Sequence, residues 1–213
     1  MFITKKSIIG IIKLAGIIST ESRLGSRGGL NLNDLSDSIT KAFSFKNMKA
    51  IVLLVNSPGG SPVQSALIAN RIRDLAKEKE IPVYCFIEDL AASGGYWLSC
   101  AGDKIYAMES SIIGSIGVIT SGFGAVEAIK KIGIERRVYS QGKNKGLLDP
   151  FLPEKKDDVK QILTIQKDLH SQFIAWVKKR RGKRLKANDE VLFNAGVWSG
   201  SKAKELGLID GIG

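Results

Sequence analysis

Histidine is nearly missing from this chain: its 213 residues include one, His170. A Ser-His-Asp arrangement would have to use that residue, which lies on or beside the apolar stripe of a long helical pattern, where a packed or interface histidine is the expected role. Cysteine is almost as scarce. Cys85 and Cys100 are the two present; both stand in apolar stretches without metal-ligand spacing, which argues for packing roles in a reducing compartment. No metal and no cofactor is expected. Long apolar runs are missing too. Lys5 and Lys6 precede the run Ser7 to Ile12 as in a signal peptide, but Lys13 interrupts it. The ~20 apolar residues of a spanning helix never follow. Neither a signal peptide nor a membrane anchor is expected, a cytoplasmic location follows, and the run reads as a buried first strand.

What is present is enough for a core. Hydrophobic residues make up 44% of the chain, and its length suits one domain, 1–213. A formal charge of +11 with pI near 9.6 favours anionic partners. The basic residues are scattered and bring no recognition motif, so nucleic acid is not expected and a peripheral membrane contact is the better anionic candidate.

Short β-rich runs occur at Ile8 to Ile18, Ala50 to Asn56, Pro82 to Ile87, Lys104 to Met108 and Gly117 to Thr120; their continuous apolar character predicts strands covered on both faces. Helical spacing fills the gaps. Leu35, Ile39, Ala42 and Phe43 mark one helix, and Val63, Leu67, Ile68, Ile72 and Leu75 a second. The pattern is that of an α/β chain with parallel crossovers. Beyond the loop Gly142 to Gly146 and Pro150 and Pro153, a basic helix is predicted from about Lys155 to Arg181, a helical arm over about 154–181. Its stripe runs through Val159, Ile162, Leu163, Gln166, His170, Phe173 and Val177.

Two glycine-rich stretches could carry chemistry. Asn56-Ser57-Pro58-Gly59-Gly60-Ser61 follows a strand and opens a helix, so its backbone N–H groups can converge beside a helix N-terminus and suit a developing anion. A structural turn is the plainer account. Ala91-Ala92-Ser93-Gly94-Gly95-Tyr96-Trp97 puts a serine between small residues at a strand-to-helix junction, where its hydroxyl can be exposed to an incoming substrate. The same serine could serve only as a helix cap. A nucleophilic serine needs a base, and a desolvated lysine can take the place of histidine. Lys143 and Lys145, in the glycine-lysine loop, are equally eligible on pattern alone.

In this order, the stretches Asn56 to Gly60, Ala91 to Tyr96 and Ser110 to Val118 resemble the signal peptide peptidase A family and its SohB-like relatives, within the ClpP/crotonase superfold. Val197-Trp198-Ser199-Gly200, Ala203 and Gly207-Leu208-Ile209-Asp210 are similar to its closing signature. The resemblance implies a spiral of ββα units and a serine endopeptidase using a Ser-Lys dyad. It implies Ser93 as nucleophile and Lys145 as base, acting by acyl transfer. It further implies an oxyanion hole from Gly60 with Gly59 or Gly94. Gly114, Ser115, Ile116, Gly117 and Val118 would line the substrate cleft as an extended edge. Peptides are the implied substrates, signal-peptide remnants or membrane-protein fragments among them. Relatives form rings or domes in which adjacent units supply serine and lysine, so a homo-oligomer is expected. An acyl-CoA hydratase or thioesterase of the same superfold is one alternative, although no carboxylate stands in either glycine motif. A non-catalytic ring scaffold is the other.

Overall fold

The computed structural model describes residues 7–20, 29–142 and 145–213. Its backbone forms two compact units: one joins the chain up to Gly117 with Gln172–Gly213, and the other is Val118–Ser171.

The first unit is built on a seven-stranded sheet. Strand β1 (Ile8–Ala15) leads through helix α1 (Leu32–Ser44) to β2 (Met48–Ser57), and helix α2 (Pro62–Lys79) leads on to β3 (Val83–Ala92). Helix α3 (Gly94–Ser99) follows, then β4 (Lys104–Ala107) and β5 (Ile112–Gly114). Strands β6 (Val197–Ser199) and β7 (Gly211–Ile212) come from the C-terminal segment. The order β1-β2-β3-β4-β7 is parallel throughout, as the strand and helix alternation predicted. Both crossover helices start at recognisable caps. Asn31 accepts the Asp34 N–H at 2.9 Å, and Ser61, ahead of Pro62, accepts that of Gln64 at 3.3 Å.

One face of the sheet holds the core. Ile12, Leu14, Ile51, Leu53, Val55, Val83, Cys85, Ile87 and Ile105 are buried with Ile39 and Phe43 of α1, Ile68 and Ile72 of α2, and Leu98 of α3. The opposite face departs from the predicted two-sided cover. Ile9 and Ile11 are 59% and 64% exposed, and Val52, Leu54, Tyr84, Phe86 and Tyr106 are half-buried. Phe86 and Tyr106 stack at 5.2 Å between ring centres and so shield part of that face. A run that is apolar in sequence does not reveal how many of its faces a helix will cover.

The segment Gly117 to Thr120 is not a strand, contrary to its predicted role. The strand lies earlier, at Ile112–Gly114, and is paired on both sides, parallel to β3 and antiparallel to β6.

The long helix runs over Lys156–Arg181 as α5, close to the predicted span. From Gln172 it belongs to the first unit and packs beneath α3. Phe173 and Val177 are buried, the Trp97 and Phe173 rings lie 4.9 Å apart, and Trp176 donates through Nε1 to the Trp97 C=O at 3.0 Å. The basic run that ends α5 is partly turned inward. Arg180 donates to the carbonyls of Cys100 and Gly102 and to Asp103, while buried Arg181 donates to Gly207 O and pairs with Asp210 at 2.7 Å. Carbonyls at the C-terminal end of a helix are natural partners for guanidinium groups. Among the described residues no helix is long and apolar enough to cross a membrane.

Candidate active site

Strand β3 changes partner along its length, and that change delivers Ser93. Tyr84–Ile87 pair with β4, whereas Leu90–Ala92 pair with β5. Between them the register against β2 jumps from Val55↔Ile87 to Ser57↔Ala91, leaving Glu88–Leu90 as a bulge. Side chains hold the bulge from both flanks. Asn56 donates to Asp89 at 2.7 Å, and Ser111 donates to the Glu88 C=O at 2.5 Å. Neither Asp89 nor Ser111 had a local sequence signal for this role, because each acts only once β2, β3 and β5 are side by side.

Ser93 stands where β3 ends and α3 begins, with φ 52° and ψ −122°. A non-glycine residue in that conformation is strained and persists only where its surroundings enforce it. They do: the Ser93 N–H donates to Gly114 O at 2.8 Å and the Ser93 C=O accepts from Trp97 N–H at 3.0 Å. Its side chain makes no cap bond to α3, so the cap alternative is not realised. Helix α3 is anchored by Tyr96 in its first turn, whose hydroxyl donates to Leu208 O at 2.7 Å; burial pushes that phenol's pKa far up and keeps its proton in place.

The Gly59–Gly60 turn lies directly over this junction. A Cβ on Gly59 would stand 2.8 Å from both the Ser93 Cβ and the Gly94 N. Gly59 has φ +101° and Gly60 φ +141°, so both positions need glycine for conformation as well as for space. The peptide joining them is pinned, since Gly59 O accepts the Ile18 N–H at 2.8 Å. In a trans peptide the N–H points opposite to the C=O, which turns the Gly60 N–H away from Ile18. The Gly59 N–H is already committed to Ser57 Oγ at 3.2 Å. Of the three glycines named from sequence, Gly59 therefore contributes its missing side chain, Gly94 directly follows Ser93, and the Gly60 N–H points away from Ile18.

Gly114 joins this cluster through its bond to Ser93, but it gives no open strand edge because β5 is paired on both sides. Ser115 follows at φ 51° and accepts the Gly117 N–H, so the chain turns here instead of extending. The expected extended edge over Gly114 to Val118 is corrected on both counts. Cys85 and Cys100 lie behind α3, fully buried and free. Burial pushes their thiols up to about 12 and about 11, as suits packing residues.

Lys145 belongs to the second unit, where it is exposed; Lys143 lies outside the described residues. That unit holds helix α4 (Val126–Lys131), the first part of α5 and the turn after Lys145. Within it, Ala125 N–H donates to Pro150 O at 2.7 Å, Leu148 N–H donates to buried Asp158, and Arg136 pairs with Asp149 at 2.9 Å. His170 also lies in this unit, half-buried on α5. Large side chains stay uncovered there: Ile119, Phe123, Ile132 and Tyr139 are between 71% and 91% exposed.

Comparison with known proteins places the chain in a family. The sequence profile of Peptidase family S49 matches residues 75–213, a stretch that contains both Ser93 and Lys145. The chain is 35% identical over 211 residues to the putative signal peptide peptidase SppA of Enterococcus faecium, covering 99% of itself and 60% of that protein. It is 34% identical to Protease 4 of Haemophilus influenzae, covering 96% of itself and 32% of that protein. With a Brucella melitensis protein named Na(+)/H(+) antiporter NhaA it shares 48% identity over 205 residues, 96% of this chain but 28% of the relative. The chain thus spans less than two thirds of the length of each of these relatives. With its glycine turn, its strained serine and a family match over residues 75–213, the chain belongs to peptidase family S49.

Proposed function

We propose that the protein is a serine endopeptidase in which Ser93 attacks the peptide carbonyl and Lys145 serves as general base. The observation that carries this reading is the enforced conformation of Ser93, at φ 52°, beneath the Gly59–Gly60 turn. In the reaction, Lys145 takes the Ser93 proton as Oγ bonds to the carbonyl carbon, then returns it to the leaving amine. Water then hydrolyses the acyl-enzyme. The N–H groups of Gly60 and Gly94 hold the oxyanion, each such donor being worth about 10²–10³ in rate. Ser115 and Gly117, half-buried just after the bond between Gly114 and Ser93, line the cleft for small or aliphatic side chains.

A lysine acts as base only where its ammonium is desolvated, and Lys145 is exposed in the single chain. We therefore assign it to the Ser93 of a neighbouring copy, in a ring or dome assembled on ββα-spiral subunits. The exposed Ile119, Phe123, Ile132 and Tyr139 of its unit support such an assembly. Fragments of membrane proteins or signal peptides are the proposed substrates, reached through a peripheral contact of the basic surface with anionic lipid. The name of the Enterococcus relative supports signal peptides among these.

The test is hydrolysis of fluorogenic peptides with Ser93→Ala, Lys145→Ala and a mixture of the two. Each variant alone should be inactive. Mixed during assembly they should recover about a quarter of the sites, since an intact serine then meets an intact lysine across a subunit contact. Activity in either variant alone overturns the dyad, and inactivity of the mixture overturns its division between copies.

A further inference from the structure

Ser57 is fully buried at the end of β2, two residues before Gly59, and its hydroxyl is used twice. Oγ donates to Gly16 O at 2.7 Å and accepts the Gly59 N–H at 3.2 Å. Its backbone forms the floor of α3: a Cβ on Gly95 would stand 2.3 Å from Ser57 O and 3.2 Å from Ser57 Cβ. One residue therefore touches the end of β1, the glycine turn and the helix that begins after Ser93.

The consequence lies in Gly59, which has no side chain to fix its backbone rotation. Its N–H is held by Ser57 and its C=O by the Ile18 N–H at 2.8 Å. With both polar groups of one glycine tied, the plane of the following peptide is set, and that peptide carries the Gly60 N–H. We propose that Ser57 is a positioning residue that aims the Gly60 N–H at the oxyanion, an inference that rests on the peptidase reading above. Filling the space does not need a hydroxyl; aiming the turn does. An oxyanion donor counts chiefly when it is preorganised, since its advantage over water is that it need not reorient as charge develops.

The experiment compares the assembled wild-type protein with Ser57→Ala, with Ser57→Thr, which keeps the hydroxyl, and with Ile68→Val, a core truncation in α2. Each is assayed for peptide kcat and KM, for inhibition by a peptide boronate, whose tetrahedral serine adduct places an oxygen where the oxyanion forms, and for binding of the matching peptide amide. Ser57→Ala should lower kcat by about 10–10²-fold, weaken the boronate by a similar factor, and leave KM and amide binding within about twofold. Ser57→Thr should recover most of the loss, and Ile68→Val should show none of it. The inference is overturned if Ser57→Ala assembles with wild-type kcat and boronate affinity, if its loss is in KM alone, or if Ile68→Val reproduces it. A Ser57→Ala protein that fails to assemble leaves Ser57→Thr to decide, and an assembled Thr variant with kcat as low as a donor deletion counts against the hydroxyl. A wild-type protein that neither cleaves peptides nor takes a serine-directed label at Ser93 defeats the peptidase reading itself, a result distinct from any of these.

Discussion

Adding one methyl group at Gly59 is the sharpest perturbation the site allows. The Cβ of Gly59→Ala would lie 2.8 Å from Gly94 N and from Ser93 Cβ, and 2.9 Å from Ala92 O. Ordinary contact begins near 3.4 Å, so each neighbour must retreat by about half an ångström. Two of the three are backbone atoms at the junction of β3 and α3 and cannot rotate aside. The backbone at φ +101° adds its own cost for an L side chain. Strain of about 1–3 kcal/mol from that conformation and a similar amount from overpacking give a destabilisation of about 2–6 kcal/mol. The displaced atoms are those of the nucleophile and of a proposed oxyanion donor, and misplacing reacting groups by ~1 Å costs about 10²-fold in rate. Urea unfolding gives the first quantity, and the rate of fluorophosphonate labelling at Ser93 gives the second. Gly124→Ala is the control, since a Cβ there meets nothing within 4 Å and should change neither. Wild-type stability together with a wild-type labelling rate in Gly59→Ala would refute the close approach of the turn to Ser93.

Two further predictions concern the arginine clamp at the end of α5, in which Arg180 holds Asp103 while Arg181 and Arg184 hold Asp210. Arg181→Ala removes a guanidinium that is 2% exposed and leaves the Asp210 carboxylate and Gly207 C=O without their main partner, so it should cost about 3–5 kcal/mol in urea unfolding; a loss under about 1 kcal/mol would show that Arg184 alone suffices. Burial would raise the Asp210 carboxyl, but the Arg181 hydrogen bond, the Ile105 N–H and the charges of Arg181 and Arg184 outweigh it and hold its pKa below the ordinary carboxylate value. Asp103 is likewise lowered, burial being outweighed by the Val83 N–H, Arg180 and Arg73. Groups depressed on folding contribute stability that is complete above the unfolded value near ~3.9 and is lost as pH falls through the lower folded values. The urea midpoint should therefore fall steadily below about pH 4, and Asp103→Asn with Asp210→Asn should flatten that fall. A midpoint independent of acid would count against the clamp.

The alternation of apolar strands with helically spaced segments was legible in the chain, and so were α1, α2 and α5 within a few residues. Local spacing encodes such elements because strand and helix each impose their own period on burial. The glycine turn and the serine junction were legible for a similar reason: Gly59 and Gly60 sit where the backbone has positive φ, which few other residues adopt. By contrast, Gly117 to Thr120 looked like a strand and is not one, while Ile112–Gly114, only three residues long, is. Pairing with β3 and β6 decides that, and pairing partners are not written in a three-residue run.

By itself, then, the sequence determined the parallel α/β plan, the strained turn residues and the serine that stands among them. Tertiary structure alone decided what surrounds that serine. The Glu88–Leu90 bulge switches β3 from β4 to β5, Ile18 and Ser57 pin the glycine turn, and the basic end of α5 turns Arg180 inward onto the far end of α3 and Arg181 onto Gly207 and Asp210. Ile18 stands 41 positions from Gly59, Arg180 stands 80 from Cys100 and Arg181 stands 26 from Gly207, so no local period or composition records these contacts. A run of lysine and arginine looks the same in sequence whether it faces water or a row of carbonyls, and only the arrival of the end of α3 and of Gly207 beside α5 makes the difference.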